Sequence, residues 1–302
     1  MCARKMHAEE VDTDASLVRR LLARQFPNWA DLPITPVPSA GTDNAIYRLG
    51  DDMAVRLPRI QRAAGQIDKE HEWLPRLASH LPLAIPVPLA KGMPAEGYPW
   101  RWSVCRWLAG ENATVGRIAD LCQAARALAR FVVALQRIDP AGGPPPGKHN
   151  FGRGVPLAMR DAATRTAIAS LKGMLDIDAL TTAWDVALQA PEWDRPPVWI
   201  HGDLMSGNLL IEGGRLSGVI DFGCLGVGDP ACDLMAAWVL FSGESRDVFR
   251  AALSVDDATW ARGRGWALSW ALIFIPYYLD SNPVGVSNAR NTIDEVLADR
   301  EV

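Results

Sequence analysis

Hydrophobic and polar positions in the first third of the chain switch between helical and strand periodicities. Apolar side chains recur on one face of 14–26 and again of 62–80, which predicts two amphipathic helices. Short apolar or alternating runs, which are typical of β-strands, lie between and after them. These runs are 34–38, 45–49, 53–57 and 102–108. Because Gly50-Asp51-Asp52 joins two of the runs with hairpin chemistry, we expect a small antiparallel sheet.

From residue 109 onward the pattern is mostly helical. Apolar residues at helical spacing cover 118–138, 156–172, 178–190 and most of the chain after 230. Three short strand-like runs interrupt this pattern, at 198–200, 209–211 and 216–220. The segment 141–147, with its consecutive prolines and its glycines, is predicted to be a loop. We therefore expect a strand-rich part, residues 1–108, and a helix-rich part, residues 109–302.

Composition and charge narrow the possible partners. The 302 residues are 49% hydrophobic and 22% charged, which is typical of a globular chain long enough for two domains. The net charge is −4, so we expect no nucleic-acid partner, because no positive excess is available to grip a phosphate backbone. Residues 1–108 carry 14 basic and 12 acidic side chains, whereas residues 109–302 carry 17 and 23. This imbalance suits a protein that holds an anion in its first part and a cation in its second.

Cysteine usage and hydropathy favour a reduced, aqueous compartment. The five cysteines form no Cys-x-x-Cys pair, so neither a disulfide framework nor a zinc knuckle is expected. The amino-terminal residues lack the apolar stretch of a secretory signal. The longest nearly apolar run, Trp266–Leu279, has 14 residues, whereas a bilayer span needs ~20. We therefore expect a cytoplasmic protein with no membrane partner.

Three oxygen-bearing side chains follow the strand-like runs of the second part. His201-Gly202-Asp203 comes after 198–200, Asn208 follows five residues later, and Asp221 comes after 216–220. A Gly-Gly turn joins the last two runs into a tight hairpin, so these side chains are expected to be neighbours. Amide and carboxylate oxygens suit Mg²⁺, and a further carboxylate can receive a hydroxyl proton. Phosphoryl transfer needs this combination, because its loose transition state depends on positioning and charge neutralisation.

The order and spacing of these residues resemble a known family. His201-Gly-Asp203-x-x-x-x-Asn208, followed by Ile220-Asp-Phe-Gly223, resembles the core of the aminoglycoside phosphotransferase-like (choline kinase-type) small-molecule kinases, which are relatives of the protein kinases. The resemblance implies a bilobal, protein-kinase-like α+β fold. Residues 1–108 would form a nucleotide-binding lobe with a small antiparallel sheet, and residues 109–302 a mainly helical catalytic and substrate-binding lobe.

The resemblance also assigns nucleotide-binding residues in the first part. Ser39–Asn44 resembles the loop that covers the phosphates, and Ser103–Gly110 resembles the hinge strand beside adenine. The residues assigned to the nucleotide are Gly41, Thr42, Asp43, Asn44, Arg56, Glu70, Arg106 and Leu108. Arg56 departs from the family, in which this strand position is usually a lysine paired with the helix glutamate. Arginine keeps the positive charge and can bind phosphate through two N–H groups, but its guanidinium is larger than the ammonium of lysine. The preference for ATP or GTP stays open.

The implied cofactors are ATP, or another nucleoside triphosphate, and Mg²⁺. Asn208 and Asp221 would hold Mg²⁺, and Asp203 would accept the proton of the attacking hydroxyl, whereas His201 would be structural. The substrate would be a hydroxylated small molecule, with aminoglycoside-type antibiotics as the first candidate. A macrolide, or a metabolite such as choline or homoserine, fits the same core.

Two further carboxylates are candidate contacts to the substrate. Asp233 ends a segment, Gly228–Asp233, that resembles the one after the Asp-Phe-Gly motif of the family. Asp280 follows the apolar run that ends at Leu279, and it could line a pocket.

Other interpretations of the same residues stay open at this stage. The three oxygen-bearing residues are common in turns and caps, Arg56 could be a solvated strand residue, and Asp68 or Glu72 could replace Glu70 as its partner. A metallohydrolase could use His201-x-Asp203, but the other histidines lack the spacing of metal ligands. A nucleotide-binding scaffold without catalytic activity is also compatible with Arg56. The oligomeric state is not predicted.

Overall fold

The computed structural model of the chain describes residues 10–38, 43–113 and 115–299. Contacts divide the chain into two compact units. The first contains the described residues up to Glu111 together with Ser217–Gly223, and the second contains Asn112–Leu216 and the chain from Cys224 onward. The segment Ser217–Gly223 thus joins the first unit, whereas the sequence-based division assigns it to the second part. The roles of the two parts, nucleotide binding for residues 1–108 and catalysis and substrate binding for residues 109–302, stay predictions.

The first unit is built on a five-stranded antiparallel sheet with the strand order β1-β2-β3-β5-β4. The strands are β1 (Ile34–Pro36), β2 (Asn44–Leu49), β3 (Met53–Pro58), β4 (Pro88–Gly92) and β5 (Trp102–Arg106). Two helices accompany them, α1 (Ala15–Gln25) and α2 (Gln61–Leu77). The expected small antiparallel sheet with helices is therefore confirmed. The strand β4 is an addition that the sequence pattern did not predict.

The two faces of this sheet carry different side chains. Met53, Val55 and Leu57 of β3 belong to a buried hydrophobic cluster that includes apolar residues of α1. Because successive side chains of a strand point to opposite faces, Ala54 and Arg56 lie on the other face. The helix α2 contacts β3, β4 and β5. The periodicity of β3 therefore directs Arg56 toward the face that can receive a partner from α2.

The second unit is mainly helical. Its helices are α3 (Leu121–Gln136), α4 (Asp161–Ser170), α5 (Ile177–Leu188), α6 (Ala231–Leu234), α7 (Ala236–Val239), α8 (Gly243–Leu253), α9 (Asp257–Tyr278) and α10 (Pro283–Ala298). Its strands β7 (Val198–Ile200) and β10 (Gly226–Gly228) form an antiparallel pair. Three further short strands are β6 (Glu111–Asn112), β8 (Leu209–Glu212) and β9 (Arg215–Val219), of which Glu111 and the residues from Ser217 onward belong to the first unit. The predicted fold class, an antiparallel sheet followed by a helical part, is confirmed.

The helix α9 explains the longest apolar run of the sequence. Its 22 residues contact α4, α5, α6, α7 and α10, and Trp266, Leu268 and Leu272 are buried among them. A helix that is apolar all round is expected at such a central place. Within the described ranges, no helix is long and apolar enough to cross a membrane.

Candidate active site

The turn after β7 is shaped by a glycine. The strand ends at Ile200, which pairs with Gly226 of β10, and the chain then turns through His201 and Gly202 to Asp203. Gly202 has φ +80°, and a Cβ atom at this position would lie 3.0 Å from the Cβ atoms of both Arg153 and Cys224. The left-handed conformation and the lack of space both require glycine, so Gly202 fixes the direction in which Asp203 leaves the strand.

A buried carboxylate holds the backbone of this turn. Asp233 is fully buried, and its two oxygens accept hydrogen bonds from the backbone amides of His201 at 2.8 Å and Gly202 at 2.6 Å. Burial raises the pKa of Asp233 to about 6, although the two amides act in the opposite direction. Both oxygens of Asp233 are thus engaged inside the unit. The prediction that Asp233 contacts the substrate is therefore wrong, and the residue instead orders the turn.

His201 lies inside the same turn. It is fully buried, and its Nδ1 atom accepts a hydrogen bond from the backbone amide of Asp203 at 3.2 Å. A ring held in this way shapes the backbone, which is compatible with the structural role expected for it. That role stays a prediction.

Asn208 binds Asp203 through one side-chain atom. Its Nδ2 donates to the backbone oxygen and to Oδ2 of Asp203, both at 2.9 Å. Asp203 keeps a side-chain exposure of 20%. Since both of these hydrogen bonds use Nδ2, the amide oxygen of Asn208 accepts none from the residues that the structure describes. That oxygen can bind a cation.

Arg153 is a neighbour of Asp203 that sequence reasoning missed. Its Nη2 atom lies 3.5 Å from Oδ1 of Asp203 and forms an ion pair with it. Arg153 precedes Asp203 by 50 positions in an irregular loop, so neither periodicity nor spacing could connect the two. The one signal in the sequence is Gly202, because a motif glycine indicates that another group needs the space of its missing side chain.

In the first unit, Arg56 lies in a network of polar side chains. Its Nη1 donates to both carboxylate oxygens of Glu70, and its Nη2 approaches Gln66 Oε1 at 3.3 Å and Asp221 Oδ1 at 3.4 Å. The Asn44 amide, with its oxygen toward the guanidinium, accepts from the same Nη2 at 2.9 Å. Burial alone would lower the pKa of Arg56, but the charges of Glu70 and Asp221 outweigh it and raise the pKa. Arg56 therefore keeps its charge.

The contacts of Arg56 decide which acidic residue of α2 is its partner. Arg56 has a side-chain exposure of 13%, so it is not a solvated strand residue. Asp68 instead pairs with Lys91 and Arg101 at the surface, and Glu72 is exposed. Glu70 is therefore the partner of the strand cation.

Asp221 has an unusual backbone conformation. Its φ is +61°, in the left-handed region that residues other than glycine seldom adopt. Its Oδ1 accepts from the amide of Gly223 at 3.3 Å, and the side chain is 44% exposed. The Lys69 ammonium on α2 donates to the Gly223 carbonyl at 2.7 Å. Such conformations persist only where surrounding contacts hold them, and they concentrate at functional sites.

The remaining residues that were predicted to bind the nucleotide lie in different environments. Gly41 and Thr42 lie outside the described residues. Asp43 forms an ion pair with Arg62 at 3.2 Å. The Arg106 amide already donates to the Val87 carbonyl at 2.9 Å, so this amide is not available for the predicted contact with adenine. Leu108 is half-buried.

Asp280 is exposed just after α9. Its predicted contact with the substrate stays a prediction.

The chemistry of the oxygen donors fits Mg²⁺. Asn208 offers an amide oxygen in the second unit, and Asp221 offers a partly exposed carboxylate in the first. Mg²⁺ is usually bound by one or two such protein oxygens, with phosphates and waters as its other ligands. A metallohydrolase would need a cluster of histidines and carboxylates. Across the part of the chain that the structure describes, no three His, Cys, Asp or Glu side chains are grouped in this way.

Comparison with known proteins identifies a family and similar folds. A model of the phosphotransferase enzyme family matches residues 34–266. The structure resembles the GDP and kanamycin complex of APH(2")-IIia with a TM-score of 0.74 and 20% identity, over 94% of this chain and 99% of that one.

Two further structures are similar. The gentamicin complex of APH(2")-IIa has a TM-score of 0.64 and 19% identity, over 95% of this chain and 97% of that one. Macrolide 2'-phosphotransferase type I has a TM-score of 0.63 and 20% identity, over 95% and 98%. At these identities the similarity shows the fold alone. No curated protein sequence matches the chain.

Proposed function

Because the chain belongs to the phosphotransferase enzyme family and is a phosphotransferase that acts on a hydroxyl group of a small molecule, we propose that its acceptor is an aminoglycoside-type antibiotic and its donor ATP or another nucleoside triphosphate. The observation that carries the proposal is the contact between Asn208 and the Asp203 carboxylate. This contact places Asn208, whose amide oxygen can bind a cation, beside the partly exposed carboxylate of Asp203, which can accept a proton.

In the proposed reaction Asp203 orients the acceptor hydroxyl and takes its proton as the hydroxyl oxygen attacks the γ-phosphorus. The bond between the γ-phosphorus and the oxygen that bridges it to the β-phosphate breaks, and the nucleoside diphosphate leaves with that oxygen. A single carboxylate is sufficient to accept the hydroxyl proton, because phosphoryl transfer depends on positioning more than on a strong base. Support comes from the fixed orientation of Asp203, which Asn208 holds through Oδ2 and through the backbone. His201 and Asp233 keep the backbone of the turn in place.

Asn208 through its amide oxygen, and Asp221 through its carboxylate, would hold Mg²⁺. The ion neutralises charge on the transferring phosphate when it is bound. In the first unit, Arg56 supplies a permanent positive charge for the nucleotide phosphates, and Glu70 keeps its guanidinium in one place. The Arg106 carbonyl and the half-buried Leu108 would receive adenine.

Two observations favour an aminoglycoside as acceptor. Residues 109–302 carry 23 acidic and 17 basic side chains, a balance that attracts a polycation. Two similar structures are named as complexes with kanamycin and gentamicin. The similarity to a macrolide phosphotransferase makes a macrolide the second candidate. Choline and homoserine remain possible acceptors, because the core residues bind the phosphate and leave the acceptor unspecified.

The proposal is tested with the purified chain, Mg²⁺ and either ATP or GTP. Kanamycin, gentamicin, erythromycin, choline and homoserine are offered separately, and release of the nucleoside diphosphate is measured together with the mass of the product. We expect kanamycin or gentamicin to gain one phosphate group. Phosphorylation of erythromycin or of a metabolite instead would overturn the acceptor class. An absence of turnover with every acceptor would favour a scaffold without catalytic activity.

The role of Asp203 has its own test. Asp203→Asn keeps the shape of the side chain but removes the proton acceptor, so we expect turnover to fall by about 10²-fold or more. Nucleotide affinity, measured by calorimetry, should stay unchanged. A variant with full turnover would remove Asp203 from this role.

A further inference from the structure

A loop that no sequence pattern assigned, residues 147–154, places a guanidinium beside Asp203. Asn150, which is fully buried, organises this loop. Its Oδ1 accepts from the Gly147 amide at 2.9 Å, and its Nδ2 donates to the Arg153 carbonyl at 3.0 Å. The Arg153 amide donates to the Asn150 carbonyl at 3.0 Å. The backbone on both sides of the Arg153 side chain is therefore fixed.

The same loop packs directly on the two strands that precede and follow the site. The Asp229 amide donates to the Gly154 carbonyl at 2.9 Å. A Cβ atom at Gly154 would lie 2.7 Å from Ile200 Cδ1 and 3.1 Å from Gly228 Cα. Such close contact leaves the loop no room to shift, so the position of Arg153 is set by β7 and β10.

Gly202 and Arg153 depend on each other. The missing side chain of Gly202 leaves the space in which the Arg153 side chain begins, because a Cβ atom there would lie 3.0 Å from Arg153 Cβ. The glycine before Asp203 thus has a second consequence besides its backbone conformation. It lets a guanidinium from a distant loop reach the carboxylate of the next residue.

Arg153 forms an ion pair with Asp203, and its guanidinium also contacts the Cys224 side chain and interacts electrostatically with Asp233. Its side chain is 11% exposed, and its Nε is buried with no hydrogen-bond partner in the described chain. Burying a guanidinium is unfavourable unless a carboxylate compensates. The Asp233 oxygens are engaged with backbone amides, whereas Asp203 Oδ1 lies 3.5 Å from Arg153 Nη2. Asn208 holds the other oxygen, Oδ2.

We infer that Arg153 is a positioning residue for the phosphoryl transfer, which fixes one carboxylate oxygen of Asp203 while Asn208 fixes the other. The carboxylate then has one orientation toward the acceptor hydroxyl, which is what a reaction governed by alignment requires. This inference rests on the proposed function of Asp203 as the proton acceptor. It adds a residue from outside the motif to the machinery of the reaction.

The test compares Arg153→Met and Arg153→Lys with the unchanged protein, with ATP and Mg²⁺. Kanamycin is the acceptor, and water, measured as ATP hydrolysis, is the acceptor if kanamycin is not phosphorylated. We expect Arg153→Met to lower kcat by about 10- to 100-fold, because a small misplacement of a reacting group has an effect of this size. The KM for ATP should change by less than about twofold, and Arg153→Lys should recover part of kcat.

Arg246→Met is the matched control. Arg246 is a buried arginine whose Nε donates to the Ala237 carbonyl at 3.0 Å and whose Nη2 donates to the Phe241 carbonyl at 3.2 Å. Its loss should lower the melting temperature and leave kcat per folded molecule unchanged. An equal fall of kcat in both Met variants would make Arg153 merely structural and overturn the inference. If Arg153→Met does not fold, Arg153→Gln replaces it in the same comparison.

A double-mutant cycle separates this inference from the function on which it rests. If Arg153 acts through Asp203, Arg153→Met should have no further effect on kcat in the Asp203→Asn background. Additive losses would overturn the inference and leave the role of Asp203 intact. Full turnover of Asp203→Asn alone would instead overturn the proposed function.

Discussion

Arg56 binds several partners through one guanidinium, which a lysine could not do. One terminal nitrogen donates to Glu70, and the other faces Gln66, Asp221 and Asn44. An ammonium is a compact charge that can approach one or two of these groups at a time. The arginine at this position is therefore matched by acceptors on its strand neighbour and on α2. It is an integrated part of the first unit.

We expect Arg56→Lys to destabilise the protein by about 1 to 3 kcal/mol, because it leaves buried oxygens of Gln66 and Asn44 without a donor. Arg56→Met should cost more, about 3 to 5 kcal/mol, since it leaves Glu70 buried and unpaired. Urea unfolding of the three proteins measures both differences. A lysine variant as stable as the unchanged protein would show that the second nitrogen of Arg56 contributes nothing.

The helix α2 holds two parts of the first unit in place, the Arg56 guanidinium and the turn at Gly223. Gln66 and Glu70 lie one turn apart and bind Arg56, and Lys69 between them binds the Gly223 carbonyl. Gln66 also closes the space beside Gly223, where a Cβ atom would lie 2.8 Å from its amide nitrogen. One helix thus fixes both the strand cation and the turn that carries Asp221.

Lys69→Met should loosen the turn after Asp221, because it removes the ammonium that donates to the Gly223 carbonyl. We expect the Mg²⁺ concentration for half-maximal turnover to rise by about 3- to 10-fold, which corresponds to the loss of one hydrogen bond of about 1 kcal/mol. Activity is measured as a function of Mg²⁺ concentration at saturating ATP. Lys91→Met is the control, since Lys91 forms an exposed ion pair with Asp68, and such pairs contribute little. An unchanged Mg²⁺ dependence in Lys69→Met would contradict the role of α2.

At the scale of the whole molecule, the uneven distribution of charge has a measurable consequence. The excess of acidic residues lies in 109–302, and it attracts a polycation over a distance that salt shortens. If the acceptor is an aminoglycoside, raising the ionic strength from ~0.05 M to ~0.5 M should raise its KM several-fold with kcat unchanged. Sodium chloride and potassium acetate, compared at the same ionic strength, distinguish screening from a specific salt effect. A salt-independent KM would mean that local hydrogen bonds alone bind the acceptor.

Sequence periodicity predicted most helices and strands because local patterns determine them. The helix expected at 62–80 is α2, Gln61–Leu77, followed by a short 3₁₀ turn, Ala78–His80. The strand β4 was missed because it begins with Pro88, which weakens any strand pattern. Proline is tolerated there because β4 lies at the edge of the sheet, where a missing N–H breaks no ladder. Sheet order is a tertiary property that one segment does not reveal.

The motif residues could be found in the sequence, whereas some of their partners and surroundings could not. Asp203, Asn208 and Asp221 follow short strands at recognisable spacing, and Glu70 was favoured over Asp68 by helix phase. Asp233 was predicted to contact the substrate because a sequence does not show whether a carboxylate faces a ligand or buried backbone amides. Burial depends on the packing of the whole unit.

The chain by itself determined the alternation that makes the sheet and helices, the glycine that shapes the turn, and the oxygen-bearing side chains placed after strands. These properties follow from local sterics and from spacing along the chain. Only the tertiary structure decided that Arg153 reaches Asp203, which lies 50 positions away in the sequence. It also decided that Lys69 binds the Gly223 carbonyl, which lies 154 positions away. Contacts between such distant residues arise from packing, which local preferences do not encode.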